Sequence, residues 1–406
     1  MNRRIILDDS RKRRLAAPVG KVGKRLLEQM GTTRVKWNGW FIAGSHGGFT
    51  GRRGYGLLLA VALMGLVPAV AAGQARAARP AAIKPAETRP AAASKAREPN
   101  SMIPELRQAI LRLTPLHKPL EKPQSGDWLA QHKEPGQTFA EYLGGRPATP
   151  RGRRSVLYVQ ALGPLTPTQR KIVDLTREYL ACYFGVTCRQ GADLPDALVP
   201  ASARRTHPAW GDKQILSTYV LDKVLKPRLP PDAAACIALT ASDLWPGEGW
   251  NFVFGQASLQ DRVGVWSLCR FGDPNESDKA FRLCLRRTLQ TASHETGHMF
   301  SILHCTAWQC NMCGSNSLPE SDRRPTWLCP QCTAKVCWAA GYDPGQRFRN
   351  LADFCRKAGL SDEVEFYRKS LETLPPAWPS RFAGRGEDWC CPVKQFPDSS
   401  FFLHCS

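Results

Sequence analysis

Residues 294 to 332, HETGHMFSILHCTAWQCNMCGSNSLPESDRRPTWLCPQC, constrain the fold more than any other stretch of the chain. The run leading into them, FRLCLRRTLQTASHETGHMF, has no proline and one glycine, and it places Leu283, Leu285, Leu289 and Ala292 near helical spacing. That pattern predicts a helix over 281 to 300. His294 and His298 are then at i and i+4, so both imidazoles project from one face about a turn apart and can chelate one metal ion. Glu295 lies beside the pair, where a carboxylate takes a proton from a metal-bound water instead of occupying a coordination position. His304 follows six residues after His298. It returns to the same ion only if the helix stops near Ser301 and the chain turns. Three histidines leave the fourth position open, as in a catalytic rather than a structural zinc site.

Cysteines follow at once. Cys305, Cys310, Cys329 and Cys332 have the spacing of a closed zinc site, a short first pair, a long loop and then CPQC. Four thiolates complete the coordination, so such an ion is structural and clamps the segment carrying His304 to the loop beyond it. Cys313 competes with Cys305 for this role, because Cys310 and Cys313 also form a CxxC that can pair with Cys329 and Cys332. Spacing leaves that choice open, and two disulfides are the remaining alternative.

The pattern HExxHxxxxxHC, then Cys310, the Cys-Asn-Met of residues 310 to 312 and a CPxC after a loop, resembles the archaemetzincin family of zinc metallopeptidases. The resemblance spans about residues 150 to 340. It implies a metzincin-like fold, with His294, His298 and His304 as catalytic-zinc ligands, Glu295 as general base and later acid, and Met312 as the methionine-turn residue beneath the metal. It also implies a second zinc on Cys305, Cys310, Cys329 and Cys332, hence two ions per chain, and favours Cys305 over Cys313. A peptide or protein is then the substrate, with aminopeptidase action as one form. Where the family motif HExxHxxGxxH has glycine this chain has Ser301, at a position that suits positive φ. Serine adopts it at a cost of about 1 kcal/mol.

Other classes of function are weighed against this. A pseudo-peptidase that binds peptides without cutting is suggested by Ser301. A basic zinc protein binding nucleic acid is suggested by a net charge of +21, with 56 Lys and Arg against 35 Asp and Glu. The distribution weakens the second reading: residues 1 to 56 hold thirteen Lys or Arg and three Asp or Glu, a balance of +10. No clustered basic stripe is interleaved with aromatic residues, so no specific nucleic-acid partner is expected.

Residues 57 to 72, LLLAVALMGLVPAVAA, follow Arg52 and Arg53 and end in an A-x-A site, the three parts of a secretory signal peptide. The run is short and interrupted by Gly65 and Pro68, which disfavours a membrane span. Export to a periplasmic or extracellular location is therefore expected. Membrane contact follows only if the segment stays uncleaved as an anchor, and a cytoplasmic location only if it does not work as a signal. The 56 residues before it are long for a leader, as a downstream start site or a basic extension would explain. Residues 73 to 100 are an Ala- and Pro-rich linker. The peptidase domain is assigned to 101 to 340, and a helical hairpin with a Cys-containing tail to 341 to 406.

Within the domain, SVLYVQALG reads as a strand, and Thr166-Pro167 opens a helix with Ile172, Leu175, Tyr179 and Tyr183 on its face. Residues 213 to 225 read as a second helix, AAACIALTASDLW as a central strand ending at a structural Asp243, and NFVFGQASL with RVGVWSLCRF as strands that place an antiparallel edge beside the cleft. Phe252, Phe254 and Trp266 read as core, and His117 and His132 as surface or lightly buried. FRNLADFCRKAGL and DEVEFYRKSLETL read as an α-hairpin turning at Gly359, with Leu351, Phe354, Val364, Tyr367 and Leu371 in its seam. In the tail, Cys405 is expected to bridge to Cys390 or Cys391. The whole is an α/β fold: a metzincin-like catalytic domain with a mixed twisted sheet, a zinc-binding active-site helix and a C-terminal helical extension.

Overall fold

A computed structural model of the chain describes residues 40–43 and 99–375. The signal-like run at 57 to 72, most of the linker and the tail cysteines 390, 391 and 405 lie outside the described residues.

The strands are β1 (Trp40–Ala43), β2 (Val156–Leu162), β3 (Thr187–Gln190), β4 (Arg204–Thr206), β5 (Lys213–Leu216), β6 (Ala233–Thr240), β7 (Asp243–Trp245), β8 (Val253–Ser258) and β9 (Val263–Ser267). They form one mixed sheet in the order β3-β2-β6-β9-β8-β7-β5-β4, with β1 antiparallel to β8. The helices are α1 (Ile103–Leu113), α2 (Trp128–Gln131), α3 (Phe139–Gly144), α4 (Pro167–Phe184), α5 (Ser217–Tyr219), α6 (Asp278–Met299), α7 (Leu318–Asp322), α8 (Pro330–Ala340), α9 (Pro344–Ala358) and α10 (Ser361–Thr373).

β6 is apolar apart from its last residue, and all eight of its residues are buried, as a strand with neighbours on both sides and both faces covered should be. β2 and β9 run parallel to it, and β8 returns antiparallel to β9. The expected central strand breaks after Thr240, so Asp243 belongs to the separate strand β7. There Asp243 is buried and accepts from Arg270 Nε at 2.9 Å and from Gln214 Nε2 at 2.7 Å, and it belongs to neither metal-type cluster among the described residues.

α4 starts as its sequence dictates. Thr166 caps it, Gln169 completes a capping box and Pro167 takes the first turn. Ile172, Tyr179 and Tyr183 are buried, and Leu175 packs against the core at its edge. α9 and α10 turn at Gly359, whose φ of 71° is left-handed. Their seam residues Leu351, Phe354 and Tyr367 share one continuous core with α4 and α6.

Three expectations are corrected. Residues 213 to 225 begin as the strand β5, and helical turns start only at Ser217: pairing of β5 with β7 and β4 overrides a local helical pattern. Leu283 is 41% exposed, because α6 turns that position to solvent while Leu285 and Leu289 are fully buried. His117 is buried, with Nδ1 on Leu113 O at 2.9 Å and Nε2 on Leu328 O at 3.1 Å, a bridge from α1 to the loop before α8.

Candidate metal centre and active site

Ser277 caps the start of α6 by accepting from Ala280 N. Every residue from Thr288 to Met299 is buried, so both histidines of the motif face the interior. The helix stops where the sequence predicts. Ile302 N donates to Gly297 O and Ser301 N to His298 O, the paired bonds of a Schellman ending. Ser301 is in the left-handed region at φ 64°. Its Oγ accepts from Ala148 N at 3.0 Å, which offsets part of the backbone strain.

This exit brings His304 back. One ligand-type atom from each of His294, His298 and His304 lies within 4.8 Å of the others, and all three residues are buried. His294 Nδ1 is 2.7 Å from Asn311 O, and His298 Nδ1 is 2.6 Å from Ile302 O. A carbonyl oxygen only accepts, so Nδ1 carries the proton in both rings and Nε2 carries the lone pair. Yet the two Nε2 atoms stand 2.9 Å apart. Two lone pairs at that distance repel unless a cation lies between or beside them. Protonation does not supply it: burial and the charge of His304 hold His294 down at about 3, and burial also holds His298 well below its ordinary value. The donor set therefore fits a metal ion with an affinity for imidazole nitrogen, such as zinc.

Glu295 projects into the same space, with Oε2 buried and without a hydrogen-bond partner. Burial pushes its carboxyl up to about 8. Gly297 lets Met312 close on the helix, since a Cβ there would stand 2.7 Å from Met312 Sδ. The methionine thioether is thus seated against the turn carrying both histidines. Gly297→Ala is expected to cost about 1–3 kcal/mol through overpacking, less a helix-propensity gain of about 1 kcal/mol, in denaturant unfolding.

The cavity at the histidines measures about 20 Å³, room for roughly one water molecule. Thr291, Glu295, Asn311 and Cys313 wall it, and Trp128 of α2 lies over it. The Trp128 ring meets His304 edge-on at 5.1 Å between centroids. β8 is antiparallel as expected, but the residues lining this cavity come from α6, the loop after it, Ser321 of α7 and Trp128.

The segment bearing Trp128 is tied across the site. Leu120 N donates to Ala307 O, Trp128 N to the Glu320 carboxylate, and Leu303 N to Gln137 Oε1. A Cβ on Gly314 would stand 2.4 Å from the Trp128 ring, so that close approach requires glycine. Glu134, on the same segment, accepts from His304 Nδ1 with Oε2 at 2.9 Å and Oε1 at 3.1 Å. Burial raises the Glu134 carboxyl, but the hydrogen bond and charge of His304, with smaller contributions from Trp128 and His132, together outweigh it and hold the group below its ordinary value. Neither Trp128 nor Glu134 belongs to a motif, and no local pattern could have marked them.

Beside the histidines, Cys305, Cys310, Cys329 and Cys332 form a second buried group with thiols within 4.8 Å of one another. Cys310 Sγ accepts from Cys329 N at 3.2 Å and Met312 N at 3.4 Å, and Cys329 Sγ from Cys332 N at 3.4 Å. Such N–H to sulfur bonds suit thiolates. Hydrogen bonds from Cys310 and the other neighbouring thiols hold Cys305 strongly down, while burial pushes Cys310 and Cys329 up. Cys313 directs its thiol at Trp308 O, 3.1 Å away. The geometry brings Cys305 rather than Cys313 into the tetrad, and the described cysteines are all free of disulfides.

The model of peptidase family M54 matches residues 171–337. Archaemetzincin-2 of Homo sapiens is 31% identical over 280 residues, covering 61% of this chain and 76% of that protein. The chain belongs to the archaemetzincin family. Archaemetzincin of Thermococcus kodakarensis is 30% identical over 167 residues, covering 39% of this chain and 84% of its own. The crystal structure of archaemetzincin from Methanopyrus kandleri, 29% identical, covers 50% of this chain and 97% of that one with a TM-score of 0.35. As an archaemetzincin the protein is a zinc metallopeptidase acting on peptides or proteins. The segment with Trp128 and Glu134 precedes the matched residues.

The histidine pKa values give the metal-free protein a characteristic pH dependence. His294 and His298 are depressed when folded, so below pH 6.5 the unfolded chain binds the extra protons and stability falls as pH falls, by about 1.4 kcal/mol per pH unit for each group. Glu295 is raised, so the folded chain keeps a proton that the unfolded one releases, and stability falls as pH rises from 4.5 towards 8. Two opposing histidine contributions exceed one glutamate contribution below 6.5. Cys305, held strongly down, adds a further contribution that rises with pH and offsets that of Glu295 above 6.5, so denaturant midpoints of metal-free protein are expected to rise from pH 5 to about 6.5 and then level off; a fall between pH 5 and 6.5 would contradict this assignment.

Proposed function

We propose that His294, His298 and His304 hold a catalytic zinc, that Glu295 is the proton shuttle of peptide hydrolysis, and that Cys305, Cys310, Cys329 and Cys332 hold a second, structural zinc. The single observation that carries the first site is the pair of imidazole lone pairs 2.9 Å apart in a pocket too dry to protonate them. A zinc ion there would supply Lewis acidity towards water and the scissile carbonyl. Glu295, with an unpartnered buried oxygen, accepts the proton of the attacking water. Met312 supports the helix turn that carries the ligands.

Aminopeptidase action fits the small cavity, which leaves little depth on the far side of a scissile bond. Export, read from residues 57 to 72, belongs to the same proposal. Metal analysis of the full chain beside His298→Ala tests the ligand assignment. The expected result is two zincs falling to about one, with loss of cleavage in a peptide library; unchanged zinc in His298→Ala would overturn it.

A further inference from the structure

The third histidine differs from the other two in what holds its outer nitrogen. Nδ1 of His294 and His298 donates to backbone carbonyls near in sequence, in the loop after α6. Nδ1 of His304 meets a carboxylate 170 residues upstream. We infer that Glu134 is a positioning residue of the catalytic centre, a carboxylate that orients His304 and strengthens it as a zinc ligand from a segment preceding the family-matched region.

Geometry carries the inference. Both Glu134 oxygens are within 3.1 Å of the one nitrogen, so the imidazole plane is fixed by a forked contact. Trp128 packs edge-on against the same ring and limits its rotation. The segment between them is not loosely draped. Gln137, three residues beyond Glu134, donates to Ser301 O and accepts from Leu303 N, on both sides of the left-handed turn that delivers His304. Asp127, next to Trp128, pairs with Arg323 at 2.6 Å. The carboxylate is therefore held over the imidazole by the chain on either side of it.

The chemistry follows from the hydrogen bond. A carboxylate accepting from Nδ1–H fixes the tautomer with the lone pair on Nε2 and makes that lone pair more basic. His304 needs this more than its partners do. It lies beyond the helix, on a turn made by a serine in a glycine-type conformation, and α6 does not fix its direction.

The inference rests on the zinc reading of the three histidines, and the test separates the two. In the full-length protein, zinc affinity is measured by chelator competition for wild type, Glu134→Ala, Glu134→Gln, Glu134→Asp, Gln137→Ala and His298→Ala. The d–d absorption of the cobalt-substituted proteins is recorded alongside. Glu134→Ala is expected to weaken the histidine site about 10- to 100-fold and to alter the cobalt spectrum. Glu134→Gln keeps an acceptor without the charge and should fall between, and Glu134→Asp should recover part of the loss. Gln137→Ala, which loosens the segment and the turn but leaves the carboxylate, should weaken the site less than Glu134→Ala does.

Wild-type affinity and spectrum in Glu134→Ala, with the site lost in His298→Ala, would overturn the role of Glu134 alone. An equal loss in Gln137→Ala and Glu134→Ala would also overturn it, by assigning the effect to the segment instead of the carboxylate. Wild-type zinc in His298→Ala would remove the histidine site itself. If Glu134→Ala does not fold, the ordering of wild type, Asp and Gln variants decides.

Discussion

Glu295→Gln is expected to retain its full zinc content and to hydrolyse peptides roughly 10²- to 10⁴-fold more slowly than the parent. Glutamine has nearly the shape of glutamate but cannot take the proton of the attacking water. Glu295 Oε2 has no hydrogen-bond partner for the amide to break. The amide also removes a carboxyl that burial has pushed up to about 8, so the metal-free variant should be no less stable at pH 8 than the parent. A loss of zinc in parallel with activity would instead make Glu295 a ligand. Near-parental turnover with zinc bound would exclude it as the shuttle.

Cys329→Ser should have the largest effect on stability. Cys329 stands where three requirements meet. Its thiol is 3.7 Å from Cys305 Sγ, it caps α8 by accepting from Cys332 N, and its own N–H binds Cys310 Sγ. Serine preserves a cap of sorts but supplies a poor zinc ligand. Structural zinc in small modules contributes about 10–16 kcal/mol of binding energy, so losing one ligand exposes a large part of the local fold. The expected result is one zinc fewer and a thermal midpoint lower by about 10 °C or more, a shift corresponding to a few kcal/mol in a domain of this size. Cys313→Ser, by contrast, alters a thiol directed at Trp308 O and its contact with Cys305 but removes no member of the tetrad, and should keep both ions. If Cys313→Ser lost the ion and Cys305→Ser kept it, the tetrad would need redrawing.

The histidine cluster was legible because it is local. An i, i+4 pair on a helix and a third histidine after a forced helix stop are written in eleven consecutive residues, and Ser301 adopts the positive φ that its position requires. Strong helix signals at Thr166-Pro167 and Gly359 likewise held, because capping and left-handed turns are one-residue physics. What could not be read depends on partners far away in the chain. Lys213–Leu216 became a strand through pairing with β7 and β4. Gly297 is required by a methionine fifteen residues later, and Glu134 acts across 170 residues. The choice of Cys305 over Cys313 also needed three-dimensional direction, since both satisfy the spacing.

His304 and Cys305 are neighbours in sequence but look into different buried clusters. A single peptide unit joins them, and Cys305 N donates to Met312 O, which ties the same unit to the methionine beneath α6. On the two-ion reading, zinc on the thiolates narrows the positions open to His304, and zinc on the histidines narrows those open to Cys305. The ions are then thermodynamically linked, each raising the affinity for the other by the same factor. Titration of metal-free protein would show a cooperative uptake, and oxidation of the thiolate cluster would silence peptide cleavage without touching any catalytic residue.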